Sequence, residues 1–384
     1  MQEKLKKIAV FPNDPLKAYY EKGEIKDRYF NPNNLFDEIH VISFSENEIE
    51  ASKVQELAGE AKLVIHRVGK MTIFNKSKKK NQVLKLIKEI KPQIIRAYNP
   101  LLEGWVAAHC STVLDVPFFV SLHVQYDGLR EQAKKNNYKK YLGLRYLRKK
   151  IEPYTLTKAN KITVVYKIIE PYVTDMIGRS PEILYNRVDI LRFRDGKKIL
   201  NYDKPLVLSV GRLTAQKNCD ILIKAIKNLD VYFMIIGDGE LRDQLVELVS
   251  ELGIKDKVIF KKAVPNKELQ NYYKSADVFA LAYDPKIEGL PIPVLEAMAS
   301  GLPIVIPFPQ LGMSDGLEDC VAFSDLNIES FSKAIKRILI DEKYARNLTE
   351  KAQKKVMHFD GKNTEKREAE IYQELMSSKS VLIK

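Results

Sequence analysis

The stretch EGLPIPVLEAMASGLPIVIPF, residues 288–308, predicts a loop, a helix and a strand in close succession. Pro291 and Pro293 suit the first turn of a helix, because the backbone N–H that proline lacks would find no helical partner there. Gly301 is typical of a helix C-terminus, and Pro303 prevents the helix from continuing. The apolar run that follows has the length and composition of a buried strand.

Strand-like and helical segments alternate along the rest of the chain. The strand-like segments are KIAVF, EIHVISF, LVIHRV, QIIRAY, FFVSLHV and KITVVY, then LVLSVG, VYFMIIG, VIFKKAV, VFALAY and PIVIPF. Amphipathic stretches such as NQVLKLIKEI and CDILIKAIKNL lie between them. Short apolar strands separated by helices indicate an α/β fold with parallel sheets covered on both faces.

The alternation restarts near residues 196–205, a polar stretch that ends in proline, and 384 residues exceed what one core usually holds. We therefore predict two doubly wound Rossmann-like domains, residues 1–195 and 196–360, facing each other across a cleft. Each domain should bind ligands at the C-terminal ends of its strands. The helical segment in residues 361–384 is expected to pack back on the first domain.

Composition and charge exclude several classes of protein. The three cysteines lie far apart without a Cys-x-x-Cys pair, which predicts buried thiols rather than a zinc site or a disulfide framework. The start, MQEKLKKIAVF, lacks the apolar stretch of a signal peptide, and no segment has the pattern of a membrane span. These features predict a cytoplasmic protein, or one peripheral to the membrane on that side. The first 200 residues hold 37 Lys and Arg against 23 Asp and Glu, so they carry the whole basic excess.

A candidate phosphate site follows the segment LVLSVG. A strand ends at Gly211, a helix begins near Asn218 or Asp220, and the loop between them carries Arg212 and Lys217. A guanidinium and an ammonium beside a helix N-terminus suit a diphosphate, although such side chains in surface loops are more often simply solvated.

A second strand-to-helix turn contains Gly237, Asp238 and Gly239. It begins like a dinucleotide fingerprint, but Arg242 stands where the third glycine would be, which argues against a nicotinamide site. A purely structural tight turn and a nucleotide-contacting turn explain these residues equally well.

Glu288 belongs to the loop before the predicted helix, and Glu296 lies about one turn inside it. Free backbone N–H groups around Gly289 and Leu290 point toward the same space. Carboxylates accept hydrogen bonds from vicinal hydroxyls, whereas a site for phosphate alone would not carry two of them, because like charges repel. Taken alone, two glutamates eight positions apart are more often explained by helix-start electrostatics, and a ligand that is half diphosphate and half polyol is the alternative.

Taken in order, these motifs resemble the GT-B glycosyltransferases, specifically the retaining family GT4. They are Gly-Arg-Leu with a lysine five residues after the arginine, Gly-Asp-Gly, and Glu-x7-Glu within EGLPIPVLEAMASGLPIV. The resemblance spans essentially the whole chain and is most specific in the second half. It implies a nucleotide-sugar donor bound by the second domain and an acceptor bound mainly by the first.

The resemblance also implies a role for each motif residue. Arg212 and Lys217 would hold the diphosphate, Glu296 the ribose hydroxyls, and Glu288 with the backbone of residues 289–291 the transferred sugar and phosphate. The full set of implied donor contacts is Gly211, Arg212, Lys217, Gly237, Asp238, Gly239, Glu288, Gly289, Leu290, Pro291 and Glu296.

The first half fits the resemblance in part. His123 follows the strand-like segment FFVSL, where the family often has a histidine that touches the donor sugar, although a lone histidine is more often structural. Arg187 replaces the glycine of the family's Asn-Gly-Val-Asp segment. Gly23 is the only glycine in the segment after the first strand, which is usually Gly-rich. These departures leave open the donor contacts of the first domain and the nature of the acceptor.

The implied reaction transfers a sugar from a nucleoside diphosphate to an acceptor hydroxyl with retained configuration, in cell-surface glycan or glycolipid synthesis. Arg212, Lys217, Glu288 and His123 are the expected catalytic residues, with the two cations stabilising the departing diphosphate. No cofactor or metal is expected, because no Asp-x-Asp motif stands in the expected place. The alternatives are a nucleotide-sugar epimerase, a sugar phosphorylase, or a silent nucleotide-sugar- or nucleic-acid-binding protein. No recognisable nucleic-acid-binding module supports the last.

Residues 134–161 are a candidate surface for an anionic membrane. They contain ten basic residues and one acid, with Tyr and Leu side chains interleaved. A basic helix of this kind can lie on an anionic bilayer, which would suit a lipid-linked acceptor, whereas a carbohydrate acceptor needs no membrane. There are two alternatives. The Tyr and Leu side chains simply pack on the first domain while the basic residues stay solvated, or the basic residues steer an anionic soluble acceptor.

Overall fold

A computed structural model describes residues 5–262 and 264–381, and the chain divides into two compact units. The first unit comprises Met1–Tyr185 and Thr364–Lys384, and the second comprises Asn186–Asn363. The outermost residues of the predicted segments 1–195 and 361–384, and Ala263 within VIFKKAV, lie outside the described residues.

The strands are β1 Lys7–Phe11, β2 Glu38–Ser43, β3 Lys62–Arg67, β4 Ile94–Ala97, β5 Phe118–Leu122, β6 Lys161–Val164, β7 Glu182–Ile183, β8 Leu206–Val210, β9 Tyr232–Ile236, β10 Val258–Lys261, β11 Val278–Ala280, β12 Ile304–Pro307 and β13 Ala322–Ser324. The helices are α1 Leu16–Glu21, α2 Lys76–Ile90, α3 Leu102–Leu114, α4 Tyr126–Asn136, α5 Tyr138–Lys150, α6 Glu152–Lys158, α7 Glu170–Ile177, α8 Ile190–Arg194, α9 Cys219–Ala225, α10 Arg242–Glu251, α11 Asn266–Ser275, α12 Ile292–Ser300, α13 Ile328–Ile340, α14 Glu342–Val356 and α15 Gly361–Val381.

Each unit contains one parallel sheet. The strand order is β3-β2-β1-β4-β5-β6-β7 in the first unit and β10-β9-β8-β11-β12-β13 in the second. In the first sheet, β1 to β3 add toward one edge and β4 to β7 add toward the other. In the second sheet, β8 to β10 and β11 to β13 do the same. The predicted α/β class with two doubly wound domains is confirmed, and each sheet has its topological switch point beside its first strand.

Apolar side chains at helical spacing fix the helices on these sheets. Val83, Ile87 and Ile90 of α2 are buried, and so are Phe331 and Ile335 of α13. The spacing of three to four residues places each set on one helix face, which packs against the central strands. Because the strands are covered on both faces, they are almost continuously apolar.

The C-terminal helix packs on the first unit, as predicted. Ile371 and Tyr372 of α15 are completely buried in its core. The guanidinium of Arg96, at the end of β4, donates from Nε to the hydroxyl of Tyr372 over 3.1 Å. On the helix surface, Arg367 pairs with Glu182 of β7 at 2.7 Å. Apolar burial and two anchored arginines thus join a distant segment of sequence to the first sheet.

The division between the units falls ten residues earlier than the predicted boundary at 195/196. Helix α8 belongs to the second unit, because its side chains pack on helices α11 and α12 and Arg192 donates to Asn266 over 2.9 Å. The polar stretch 196–205 also binds this unit, since the backbone N–H groups of Lys197 and Ile199 donate to side chains of α11. The polar stretch is therefore a segment bound along the surface of the second unit, and it is not the linker between the units.

Candidate functional site

The loops after β8 and β11 meet at the switch point of the second sheet. The ammonium of Lys217 lies 2.6 Å from carboxylate oxygen Oε2 of Glu288, and both side chains are buried. The side-chain amide of Gln216 donates to the other oxygen, Oε1, over 3.0 Å. Two residues of the predicted phosphate loop thus hold both oxygens of the predicted sugar-binding carboxylate.

Backbone contacts fix the two loops against each other. The N–H of Asp284 donates to the carbonyl of Gln216 over 2.8 Å. The side-chain amide of Asn218 donates to the carbonyl of Ala282 over 2.9 Å. Asn218 has a φ of 43° and ends the 3-10 turn before α9, and this left-handed conformation suits asparagine better than most residues. The Lys217–Glu288 pair therefore lies on a backbone held at both ends.

Gly237 and Gly239 pack directly against the phosphate loop. A Cβ atom on Gly237 would lie 2.0 Å from the carbonyl oxygen of Gly211, and one on Gly239 would lie 2.4 Å from that of Leu213. The N–H of Leu213 donates to the carbonyl of Asp238 over 2.9 Å. The structural interpretation of this turn therefore accounts for both glycines, since only a residue without a side chain allows the backbones to approach so closely.

Glu296 lies inside α12, five positions after the N-cap residue Pro291, as the proline and glycine pattern predicted. Its carboxylate is buried and accepts a hydrogen bond of 2.8 Å from the hydroxyl of Tyr273 on α11. Gly301 ends the helix with a φ of 76°. The two glutamates of the Glu-x7-Glu motif thus have different partners, one a cation and the other a phenol.

The backbone before α12 offers two amide donors. In the described part of the chain, the N–H groups of Gly289 and Leu290 have no protein acceptor, whereas the N–H of Glu288 donates to the carbonyl of Asp284 over 3.1 Å. Pro291 has no N–H, so the predicted backbone contact from residues 289–291 reduces to two donors and one apolar residue. The hydroxyl of Tyr283 binds the carbonyl of Gly289 over 2.8 Å and fixes this turn.

Arg212 is exposed at the start of the phosphate loop, in contrast to the buried Lys217. A guanidinium in this position can reach an anion without first breaking a buried ion pair. Its donors form a planar fork that suits phosphate oxygens.

His123 lies in the first unit, directly after β5. Its Nε2 is 2.9 Å from the hydroxyl oxygen of Ser121, and its ring lies 5.6 Å from that of Tyr98. Removal from solvent and, second, the charge of Arg96 lower the pKa of His123 to about 3. The imidazole is therefore neutral at physiological pH, and it is placed to exchange hydrogen bonds rather than to carry charge.

The basic segment 134–161 is not one helix but the end of α4, all of α5 and α6, and the start of β6. Its single acid, Glu152, is completely buried and receives two hydrogen bonds of 2.9 and 3.0 Å from Arg130. Leu147 packs inward, whereas Tyr138 and Leu142 are 61% and 47% exposed. The segment therefore combines a fixed inner face with an exposed basic and apolar outer face.

Three further observations concern groups outside this site. The cysteines Cys110, Cys219 and Cys320 are free and buried, as predicted. Among residues 5–262 and 264–381, no cluster of three or more His, Cys, Asp or Glu side chains is arranged to hold a metal ion. Over the same residues, none of the helices combines the length and apolar character needed to cross a membrane.

Gln216, Asn218 and Tyr273 belong to the site but were not predicted from the sequence. Gln216 adjoins Lys217 in the loop, so its position was a usable signal. Tyr273 comes from a different helix, and no spacing rule connects it to Glu296. Gln216 and Asn218 fix the Lys217–Glu288 pair, and Tyr273 fixes Glu296.

Residues 192–355 match the model of a family described as glycosyl transferases group 1. The chain is 35% identical over 156 residues to an uncharacterized glycosyltransferase of Methanocaldococcus jannaschii, covering 39% of this chain and 37% of that one. It is 30% identical over 160 residues to a GDP-mannose-dependent alpha-(1-6)-phosphatidylinositol monomannoside mannosyltransferase of Mycolicibacterium smegmatis, covering 37% and 41%. The matched stretches thus span less than half of either relative.

Among solved structures, a sucrose-phosphate synthase from Thermosynechococcus elongatus superposes with a TM-score of 0.76 at 16% identity, over 97% of this chain and all of that one. At that identity the likeness concerns the fold alone. Together with the family match, it confirms the resemblance to GT4-type glycosyltransferases with a GT-B fold that the motifs predicted.

Proposed function

We propose that this GT4-like chain is a retaining glycosyltransferase that moves a sugar from a nucleoside-diphosphate sugar to an acceptor hydroxyl. The observation that carries the proposal is the contact between Lys217 and Glu288 at the carboxyl end of β8 and β11. A cation for phosphate and a carboxylate for hydroxyls lie side by side, as a ligand with both groups requires.

A carboxylate in a phosphate site would repel the phosphate, and the ion pair between Lys217 and Glu288 removes this repulsion. Lys217 neutralises Glu288, so the two groups together add little net charge. When a diphosphate approaches, its oxygens compete with Glu288 for the ammonium of Lys217, and the carboxylate oxygen released in this way accepts a sugar hydroxyl. Gln216 continues to hold the other oxygen, so the carboxylate keeps its orientation during the exchange.

Charge stabilisation of the leaving group is the main catalytic contribution that we assign to the second unit. As the bond from the sugar to the diphosphate breaks, negative charge develops on the departing phosphate oxygens. Arg212, Lys217 and the N–H groups of Gly289 and Leu290 are donors suited to that charge. The turn that carries the two N–H groups is held by the hydrogen bond from Tyr283 to Gly289. Glu296, held by Tyr273, is assigned to the ribose hydroxyls.

We assign the acceptor to the first unit, with His123 as a neutral hydrogen-bonding residue near the transferred sugar. A lipid-linked acceptor is the favoured class. The Mycolicibacterium smegmatis enzyme, which is similar to this chain over 160 residues, is named for action on phosphatidylinositol monomannoside. The same relative is named as GDP-mannose-dependent, which makes GDP-mannose the first donor to test. Such an enzyme would work at the inner face of the cell membrane.

Thermal unfolding of the full chain with a panel of UDP-, GDP- and ADP-sugars tests the donor site. A ligand at 100 times its dissociation constant stabilises the folded state by about 2.7 kcal/mol, so a true donor raises the melting temperature measurably. Arg212→Ala, a change at an exposed residue, should remove most of that rise without changing the melting temperature of the free protein. A panel without any rise would overturn the proposed donor class.

A further inference from the structure

An exposed aromatic side chain stands in the loop between β3 and α2. Phe74 is 99% exposed, so its ring is not packed against any part of residues 5–262 and 264–381. The sequence around it is strongly basic and has no Asp or Glu from residue 61 to residue 88. The nearby lysines are Lys70, Lys76, Lys78, Lys79 and Lys80.

The loop that carries Phe74 is held in a fixed conformation. The side chain of Asn75 accepts a hydrogen bond of 2.8 Å from the N–H of Thr72 and donates over 3.1 Å to the carbonyl of Lys70. The ammonium of Lys76 donates to the carbonyl of Ile73 over 3.0 Å. The phenyl ring is therefore presented to solvent by an ordered turn.

This loop adjoins helix α5. The ammonium of Lys76 lies 5.4 Å from the centre of the Tyr146 ring, a cation–π contact. One turn before Tyr146 on the same helix lies the exposed Leu142. The contact therefore joins the start of α2, directly after the loop that carries Phe74, to the helix that carries Leu142.

The outer face of α5 continues the same chemistry. Tyr138, Leu142, Arg145 and Lys149 are exposed and recur at the i, i+4, i+7 and i+11 positions of one helical stripe. On the inner side, Leu147 is buried. Arg148, on the flank of the helix, pairs with Asp127 of α4 at 3.3 Å. The helix is anchored from within, and its stripe of aromatic, aliphatic and cationic groups faces solvent.

We infer that the Phe74 loop, residues 69–75, and the exposed stripe of α5 form one docking surface for an anionic lipid bilayer. The lysines and arginines bind the headgroups, with each nearby cation adding to the attraction. Phe74 and Leu142 enter the boundary between headgroups and acyl chains, where aromatic and aliphatic side chains leave water. A soluble polyanion would satisfy the cations equally well but would leave Phe74 in water, and this difference favours the bilayer.

Co-sedimentation of the full chain with vesicles tests the inference without any activity measurement. The chain should bind vesicles rich in phosphatidylglycerol, bind phosphatidylcholine vesicles poorly, and lose affinity as salt rises. Phe74→Ser should weaken binding to the anionic vesicles about tenfold, the scale of losing partial burial of one aromatic ring. Because the side chain is exposed, melting temperature should not change.

Leu311→Ser in the second unit is the matched control, since Leu311 is also fully exposed and apolar. It should bind vesicles like the parent chain. Phe74→Trp combined with Trp105→Phe provides a second readout, because the new indole is then the sole tryptophan of the sequence. Its fluorescence should shift to the blue with anionic vesicles and stay unshifted with dextran sulfate. Equal vesicle binding by the Phe74→Ser and Leu311→Ser variants, or no blue shift, would overturn membrane docking by this loop. Binding to dextran sulfate but not to vesicles would instead assign the surface to a soluble anion.

Discussion

Replacing Lys217 by methionine should destabilise the second unit more than any surface charge removal. The substitution keeps an unbranched side chain but leaves Glu288 buried without its cation. The two side chains are only 11% and 9% exposed, so the pair counts as buried rather than as a surface ion pair. Removing one partner of a buried pair costs about 3–5 kcal/mol, and we take about 3 kcal/mol because Gln216 still donates to Glu288.

The expected loss can be read as a melting temperature. For a unit the size of residues 186–363, 1 kcal/mol corresponds to about 2–4 °C, so Lys217→Met should lower the transition by about 6–12 °C. The double variant Lys217→Met, Glu288→Gln should recover much of the loss, because no uncompensated charge is then buried. Thermal unfolding followed by circular dichroism measures each variant.

Lys224→Met provides the comparison that decides the result. Lys224 pairs with Asp220 at 3.0 Å in the same unit, but these side chains are 36% and 45% exposed. Exposed pairs of this kind contribute at most about 1 kcal/mol. If Lys217→Met lowers the melting temperature no more than Lys224→Met, the buried pair does not stabilise the loops and our account of the site is wrong.

Three further predictions follow from other contacts. Gln216→Ala should lower turnover about tenfold, which is the scale of one hydrogen bond to a charged group. Binding of the nucleoside diphosphate alone, measured by calorimetry, should stay unchanged. If turnover and nucleoside diphosphate affinity fall equally, Gln216 has only a general structural role. Burial lowers the pKa of His123 to about 3 and that of His66 to about 4, so both are neutral when folded. Since an unfolded histidine takes up a proton below about pH 6.5, the contribution of these two residues to stability should be constant above that pH and fall as the pH drops toward 4. His123→Gln should make this fall shallower in denaturant titrations, and an unchanged slope would contradict the assignment. Excess chelator should leave sugar transfer intact, whereas strict dependence on Mg²⁺ or Mn²⁺ would show that the cationic side chains do not suffice.

The sheets could be predicted from the sequence because their central strands lie within continuous apolar runs. Eleven predicted segments fall on strands of the structure, whereas β7 and β13 were missed. Glu182–Ile183 contains one apolar residue and Ala322–Ser324 contains two, whereas β11, which also has three residues, is apolar throughout. Edge strands of this length are defined by their neighbours rather than by their own composition.

The site could be predicted as a set of loops but not as a set of contacts. Lys217 and Glu288 are 71 residues apart, and only the adjacency of β8 and β11 brings them together. The motifs indicated that one binds phosphate and the other sugar, without indicating that they bind each other. The hydrogen bond from Tyr273 to Glu296 depends on the packing of α11 against α12, which no local pattern specifies.

Turnover of the Glu288→Gln variant tests the central claim most directly. The assay supplies the nucleotide sugar that raises the melting temperature most, together with lipid-linked and carbohydrate acceptors, and follows release of nucleoside diphosphate and the anomeric configuration of the product by NMR. We predict transfer with retained configuration by the parent chain and a fall of about 10²-fold or more in the variant, measured below its melting temperature. Near-normal turnover of Glu288→Gln, or a product of inverted configuration, would contradict the account.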